Sequence, residues 1–202
     1  IQDIGTAYQN VIKQFYDAGC RNLQLDDCTW GAIVGDAAKL RYKSLGIDLD
    51  EVKSKLLAVN NLALEGKPED MVITSHICRG NYHSTFFASG AYDSVADYVF
   101  AKENVDALFL EYDDERSGGF APLAKVSGDK KIVLGLITTK SPVDKKAVIK
   151  RIHEAAKYVP LDRLCLSPQC GFASCEIGNK LTEEEQWAKL KLVKEIAEEV
   201  WG

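Results

Sequence analysis

The stretch MVITSHIC, residues 71–78, joins an apolar strand-like run, 71–75, to a histidine and a cysteine. The run is short and mostly apolar, which is typical of a strand buried on both faces of a parallel sheet. Four further runs have the same character, at residues 22–26, 107–111, 131–138 and 163–167. The sequence therefore predicts five strands of one kind.

Amphipathic stretches separate these runs, with apolar residues at helical spacing. They cover residues 6–18, 48–64, 94–103 and 144–158. Ser141-Pro142 predicts the start of the fourth helix, because proline fits the first helical turn. Thr182 and Glu185 predict a capping box that opens a fifth helix, ending near Val200. Strands that alternate with helices predict βα units around a parallel sheet.

The number of units decides between two α/β architectures. A closed (β/α)₈ TIM barrel needs eight strands and usually about 250 residues. Five units in 202 residues, with Ile1 in place of an initiator methionine, favour the C-terminal five βα units of such a barrel. Residues 1–202 would then be the C-terminal part of one barrel domain. The alternative is a complete five-stranded open sheet of flavodoxin type.

Composition narrows the class of protein. Apolar residues make up 46% of the chain and charged residues 27%, which allows a buried core in a globular domain. The net charge of −5 and the absence of a basic run argue against a nucleic-acid partner. No run reaches the roughly 18 apolar residues of a membrane span. Six cysteines without a secretory pattern favour reduced thiols in the cytoplasm.

Metal-binding side chains lie at the ends of three predicted strands: His76 with Cys78, Glu111, and Cys170. Residues two apart on a strand point to the same face, and strand ends converge at the mouth of a barrel. Two thiolates, an imidazole and a displaceable carboxylate suit Zn²⁺, which makes a bound thiol nucleophilic by deprotonating it. The pattern therefore predicts a zinc site that activates a thiol. The alternative is a pair of buried thiols beside a hydrogen-bonded core histidine.

Four charged side chains near these strand ends are further candidates. Asp26 or the adjacent Asp27 could hold an ammonium group by a charge-assisted hydrogen bond, or could cap a helix. Lys140, which follows the fourth predicted strand, could bind a carboxylate or phosphate, or could simply begin a loop. Arg79 could supply an anion contact or pair with a carboxylate of the acidic loop 111–119.

These motifs occur in the same order in the C-terminal catalytic domain of cobalamin-independent methionine synthase. They are NLQLDD (22–27), SHICRGN (75–81), LEYDDER (110–116) and SPQCG (167–171). Over nearly all 202 residues the chain resembles the shorter, single-barrel members of that family, the 5-methyltetrahydropteroyltriglutamate–homocysteine methyltransferase-like proteins.

The resemblance implies a (β/α)₈ barrel with zinc held by His76, Cys78, Glu111 and Cys170. It implies that Asp26 contacts the amino group of homocysteine or methionine, with Glu111 also at the substrate. The implied reaction moves a methyl group from a donor, a methylated folate, to the homocysteine sulfur and gives methionine.

The chain departs from the family pattern at Lys140, which precedes Ser141-Pro142 where the full-length enzyme has a histidine. This departure keeps Lys140 as the catalytic candidate there and admits a corrinoid-bound methyl donor instead of a folate. The lack of the first barrel strands admits a third possibility, an inactive barrel fragment, zinc-stabilised or metal-free, that pairs with another copy of itself through an open sheet edge.

Overall fold

The structure is a computed structural model that describes residues 1–202. Five strands alternate with eight α-helices and three short 3₁₀ segments. The strands are β1 Asn22–Asp26, β2 Val72–Ile77, β3 Ala107–Glu111, β4 Lys131–Ile137 and β5 Leu164–Pro168. The helices are α1 Gln2–Asp17, α2 Cys28–Ile33, α3 Asp36–Ser44, α4 Leu49–Leu64, α5 Asp93–Ala96, α6 Val99–Lys102, α7 Lys145–Ala155 and α8 Glu183–Trp201. The 3₁₀ segments are Glu115–Ser117, Ala121–Lys125 and Leu161–Arg163.

All five strands are parallel and lie in one sheet in the order β1-β2-β3-β4-β5. A flavodoxin-type sheet would run 2-1-3-4-5, with helices on both faces, so that alternative is wrong. Sequential order is the order of a (β/α)₈ barrel wall. The predicted barrel-type fold is therefore confirmed, although the sheet does not close and leaves β1 and β5 as edges.

Successive side chains on each strand point alternately to the two faces of the sheet, one packed against the core and one open. Ile73, Ile77, Leu108, Leu110 and Leu134 are at most 1% exposed and belong to the main apolar cluster. The residues between them point to the other side of the sheet, because successive strand residues face opposite ways. Asp26 and His76, which are register partners on β1 and β2, lie on that open side.

Several predicted boundaries change in the structure. β2 continues two residues past the predicted end, so His76 and Ile77 belong to the strand. The predicted helix 94–103 is two short helices, α5 and α6. Helix α7 begins after Asp144, whose side chain accepts from the Lys146 N–H, so the predicted cap at Ser141-Pro142 is wrong. The capping box at Thr182 is confirmed, with both reciprocal hydrogen bonds present.

The surface near the open edge of β1 is unusually apolar. Helix α1 exposes Ile4, Tyr8, Val11 and Phe15, each between 41% and 54% accessible, at helical spacing. Its opposite face packs on α4. None of the helices combines the length and the apolarity that crossing a membrane requires.

Candidate metal and thiol site

The carboxyl ends of β2, β3 and β5 bring four potential metal ligands together. The ligand atoms of His76, Cys78, Glu111 and Cys170 all lie within 4.8 Å of one another. The two sulfur atoms are 3.9 Å apart, and His76 Nε2 is 3.9 Å from Glu111 Oε1. The structure thus places side by side the four residues that the sequence nominated as ligands.

These distances suit a tetrahedral zinc ion. With Zn–S bonds of about 2.3 Å, the edge of a tetrahedron measures about 3.8 Å, close to the separation of the two sulfur atoms. His76 Nε2 is buried and has no hydrogen-bond partner. A buried imidazole nitrogen without a partner is costly, and a metal ion in this cluster would satisfy it. The residues therefore fit zinc in both donor type and spacing.

Glu111 is fixed by two donors from its surroundings. Its Oε1 accepts from the Arg79 backbone N–H at 2.8 Å, and its Oε2 accepts from Arg116 Nη2 at 2.7 Å. The side chain is fully buried. Burial raises the pKa of the Glu111 carboxyl, although the Arg79 N–H and the Arg116 guanidinium oppose the rise.

The two thiols are hydrogen-bonded to each other. The hydrogen bond between Cys78 and Cys170 raises the pKa of Cys78 and lowers the pKa of Cys170. The two thiols therefore titrate as a pair. Burial acts to lower the pKa of His76, but the neighbouring Cys78 and the Glu111 charge shift it upward.

Glycine at position 31 brings helix α2 against the site. An added Cβ at Gly31 would lie 2.0 Å from the carbonyl oxygen of Cys78. That separation is well below van der Waals contact, so only glycine allows the helix to approach the backbone of this ligand so closely. Helix α2 therefore packs directly against the backbone of Cys78 and helps to fix its position.

Lys140 lies in a buried group of charges behind Glu111. Its Nζ donates to Asp113 Oδ2 at 2.6 Å, and Asp113 Oδ1 is 2.9 Å from Arg116 Nη2. Arg116 also pairs with Asp114 and Glu111. Burial acts to raise the pKa of Asp113, but Lys140 and Arg116 outweigh it and the pKa is lowered. A chain of ion pairs therefore links Lys140 to the ligand cluster.

Asp26 and Asp27 separate into two roles. Asp27 caps α2 by accepting from the Thr29 N–H at 3.1 Å, and it also accepts from Asn60 Nδ2 at 2.8 Å. Asp26 is exposed, and its Oδ1 is 3.7 Å from Cys28 Sγ. Asp27 is the helix cap, and Asp26 remains free to meet a ligand at the mouth.

Sequence reasoning missed two features of this region. Cys28 joins Asp26 and Cys78 in a second cluster, with all three ligand atoms within 4.8 Å of one another. Burial and the neighbouring Cys78 raise the pKa of the Cys28 thiol to about 12. Cys28 follows Asp26 at the two-residue spacing that links His76 to Cys78, and this spacing was an available signal.

The second missed feature is a polar network that ties the ligand loops together. Gln169 Oε1 accepts from the Thr139 N–H at 2.6 Å, and Asn81 Nδ2 donates to the Gly171 carbonyl at 2.5 Å. The bond from Asn81 joins the loops that carry Cys78 and Cys170, and the bond from Thr139 joins the end of β4 to the Cys170 loop. The Arg79 side chain donates to the Gly90 carbonyl and stacks on Tyr92, and only its backbone N–H reaches a carboxylate of the 111–119 loop, that of Glu111. Its contact with an anion stays a prediction.

Comparison with known proteins gives a consistent result. Residues 1–199 match the family model described as cobalamin-independent synthase, catalytic domain. The uncharacterized proteins YxjG and YxjH of Bacillus subtilis (strain 168) are 50% and 52% identical to the chain over 205 residues. These matches cover 98% of the chain but 53% and 54% of those proteins. The chain thus spans about half the length of the curated relatives it matches.

Two solved structures share the fold. One, from Listeria monocytogenes and called a “putative vitamin-B12 independent methionine synthase”, is 46% identical with a TM-score of 0.78. The other, a B12-independent methionine synthase from Shewanella sp. W3-18-1 in complex with selenomethionine, is 21% identical with a TM-score of 0.73. Each match covers 98% of this chain and 54% of the solved one. At 21% identity the second likeness shows the fold alone.

Proposed function

Because the chain belongs to the cobalamin-independent synthase catalytic-domain family, we propose that it transfers a methyl group to the thiol of homocysteine and gives methionine. The proposed centre is a zinc ion held by His76, Cys78, Glu111 and Cys170. We further propose that residues 1–202 are the C-terminal part of a barrel domain, so that the activity belongs to the whole protein.

The observation that carries this proposal is the ligand cluster itself. Four side chains of the right chemistry, drawn from three strand ends, lie within 4.8 Å of one another. Zinc bound there would supply Lewis acidity that keeps the substrate sulfur as a thiolate near neutral pH. Cys78 is buried and Glu111 fully so, which limits the access of water to the reacting sulfur.

Residues around the cluster would position the substrate and donor. Asp26, exposed at the end of β1, would accept a charge-assisted hydrogen bond from the amino group of homocysteine. Glu111 would lie beside the incoming sulfur, and the Arg79 N–H and Arg116 would hold its carboxylate whether or not it binds the metal. Lys140 follows β4 and is paired with Asp113. It would place a positive charge where an anionic donor or leaving group binds.

A corrinoid-bound methyl group is the second candidate donor, and Lys140 favours it. The ammonium group is already engaged by the buried Asp113 at 2.6 Å, so it is a constrained proton donor for a folate leaving group. A corrinoid leaving group needs no proton from the protein. In both cases the acceptor is the same homocysteine thiol.

The test uses the full-length protein, purified with zinc and beside a Cys78→Ser variant. We expect about one zinc for each chain at the proposed centre by elemental analysis, a loss of that zinc in the variant, and methionine formation from homocysteine. Methylfolate and methylcobalamin, supplied in parallel, would identify the donor. Wild-type protein that holds zinc at less than about a tenth of stoichiometry would refute the proposal.

A further inference from the structure

We infer that Tyr92 is a positioning residue that holds Glu111 where its carboxylate reaches the metal centre. The inference rests on the proposed function, because it takes Glu111 as a zinc ligand. Tyr92 is fully buried, and its hydroxyl group is hydrogen-bonded to the main chain of Glu111. Tyr92 therefore acts on the centre through Glu111, without binding the metal or the substrate itself.

A single hydroxyl group serves both main-chain groups of Glu111. Tyr92 Oη accepts from the Glu111 N–H at 3.0 Å and donates to the Glu111 carbonyl oxygen at 3.3 Å. It also accepts from Arg79 Nε at 3.3 Å. A tyrosine hydroxyl has one proton to donate and lone pairs with which to accept, so these three bonds occupy it. All of its hydrogen bonds therefore go to Glu111 or to the residue that follows Cys78.

Tyr92 makes these bonds at the point where the neighbouring strand ends. Glu111 is the last residue of β3, and the register pairing of β2 with β3 stops one residue earlier, at Ile77 and Leu110. The end of β3 thus extends past its last pair with β2. Buried main-chain groups need hydrogen-bond partners, and the Tyr92 hydroxyl serves as a partner at this position. It fixes the point on the backbone from which the Glu111 side chain extends.

Arg79 connects this main-chain contact to the carboxylate. Its guanidinium lies over the Tyr92 ring, with Cζ 4.1 Å from the ring centroid, and its backbone N–H donates to Glu111 Oε1 at 2.8 Å. The Tyr92 ring also packs against Phe100 and Tyr112, whose ring centroids are 5.5 Å and 5.1 Å away. Tyr92 and Arg79 together therefore hold both the main chain and the carboxylate of Glu111. Loss of a group that orients a metal ligand in this way commonly weakens metal binding about 10- to 100-fold.

The test removes one hydroxyl group from the full-length protein, in Tyr92→Phe. We expect zinc affinity, measured by chelator competition, to fall about tenfold, and the visible spectrum of the Co²⁺-substituted protein to change. Tyr112→Phe is the matched control, because Tyr112 is also fully buried and its Oη has no hydrogen-bond partner. In a Glu111→Ala background, Tyr92→Phe should cause no further loss of zinc affinity, since Tyr92 acts through Glu111.

The outcomes separate this inference from the proposed function. Weaker zinc binding and a changed Co²⁺ spectrum in Tyr92→Phe, with wild-type values in Tyr112→Phe, would support it. Wild-type values in Tyr92→Phe, or the same loss in Tyr112→Phe, would overturn it and leave the proposed function standing. A further loss in the Glu111→Ala background would also overturn it, as would a Tyr92→Phe chain that fails to fold while Tyr112→Phe folds. No zinc in the wild type would overturn both.

Discussion

Glu103 is a buried carboxyl whose ionisation should weaken the fold. It is 1% exposed, and its Oε1 accepts from Asn60 Nδ2 at 3.0 Å while its Oε2 has no partner. The same Asn60 amide also donates to Asp27, so one amide serves two carboxylates. Burial, with a further contribution from the Asp27 charge, raises the pKa of Glu103 to about 7. Replacement by glutamine keeps the acceptor for Asn60 and removes the charge.

The sign and size of the effect follow from this pKa. A carboxyl whose pKa is raised on folding contributes fully to stability below its unfolded value of 4.5, and the contribution is lost as pH rises through about 7. At about 1.36 kcal/mol for each pH unit, the loss approaches about 3 kcal/mol above pH 7. Glu103→Gln should therefore be more stable than the wild type at pH 8, by up to about 3 kcal/mol, and nearly equal to it near pH 4.5.

Urea unfolding followed by circular dichroism between pH 4.5 and 8.5 measures this difference directly. The exposed Glu69→Gln is the matched control, and its free energy of unfolding should differ from the wild type by less than about 0.5 kcal/mol at every pH. A Glu103→Gln protein that is less stable than the wild type at pH 8, or that keeps the wild-type pH dependence, would refute the reasoning.

Four further substitutions test the site. Cys78→Ser should abolish zinc binding at the proposed centre, and elemental analysis of the dialysed protein measures it. Gly31→Ala should weaken zinc binding because its Cβ would displace the Cys78 carbonyl, whereas Gly119→Ala, which has open space around its Cα, should not; chelator competition compares them. Arg116→Met leaves the carboxylates of Glu111 and Asp113 without this cation. It should lower the free energy of unfolding, measured in urea, by about 3–5 kcal/mol. Asp26→Asn removes one charge-assisted hydrogen bond and should raise the KM for homocysteine about 10- to 100-fold in steady-state assays. Unchanged values in any of these measurements would contradict the corresponding role.

The strand ends were predictable because their signal is local. Residues 107–111 form an apolar run that ends in Glu111, and the structure places the strand there without change. The sequence also placed His76 and Cys78 beside one another through their spacing. It ended β2 too early because His76, a polar residue, interrupts the apolar pattern while still pairing with Asp26 across the sheet.

The missed elements lack such a signal. Helix α3 buries only Ala38, so its sequence shows no apolar face to predict. Helix α2 is six residues long and packs through Gly31, whose contact is with backbone far along the chain. The position of Cys28 depends on that contact as well as on the β1–β2 register. Packing between backbones that are far apart in the chain does not produce a periodic pattern of apolar residues, so a single sequence does not reveal it.

Glu111 differs from His76 in its hydrogen bonds, because the protein itself supplies donors to both carboxylate oxygens. Both of its oxygens have donors, the Arg79 N–H and Arg116. His76 Nε2 has none, and the Cys78 sulfur has the Gly80 N–H at 3.4 Å and the Cys170 sulfur at 3.9 Å. Releasing the imidazole from a metal would leave a buried nitrogen without a partner, at a cost of about 1–3 kcal/mol. Releasing the carboxylate would not carry that cost, because it keeps its two hydrogen bonds. We therefore infer that Glu111 is the ligand an incoming thiol displaces, because it can leave the metal at the lowest cost.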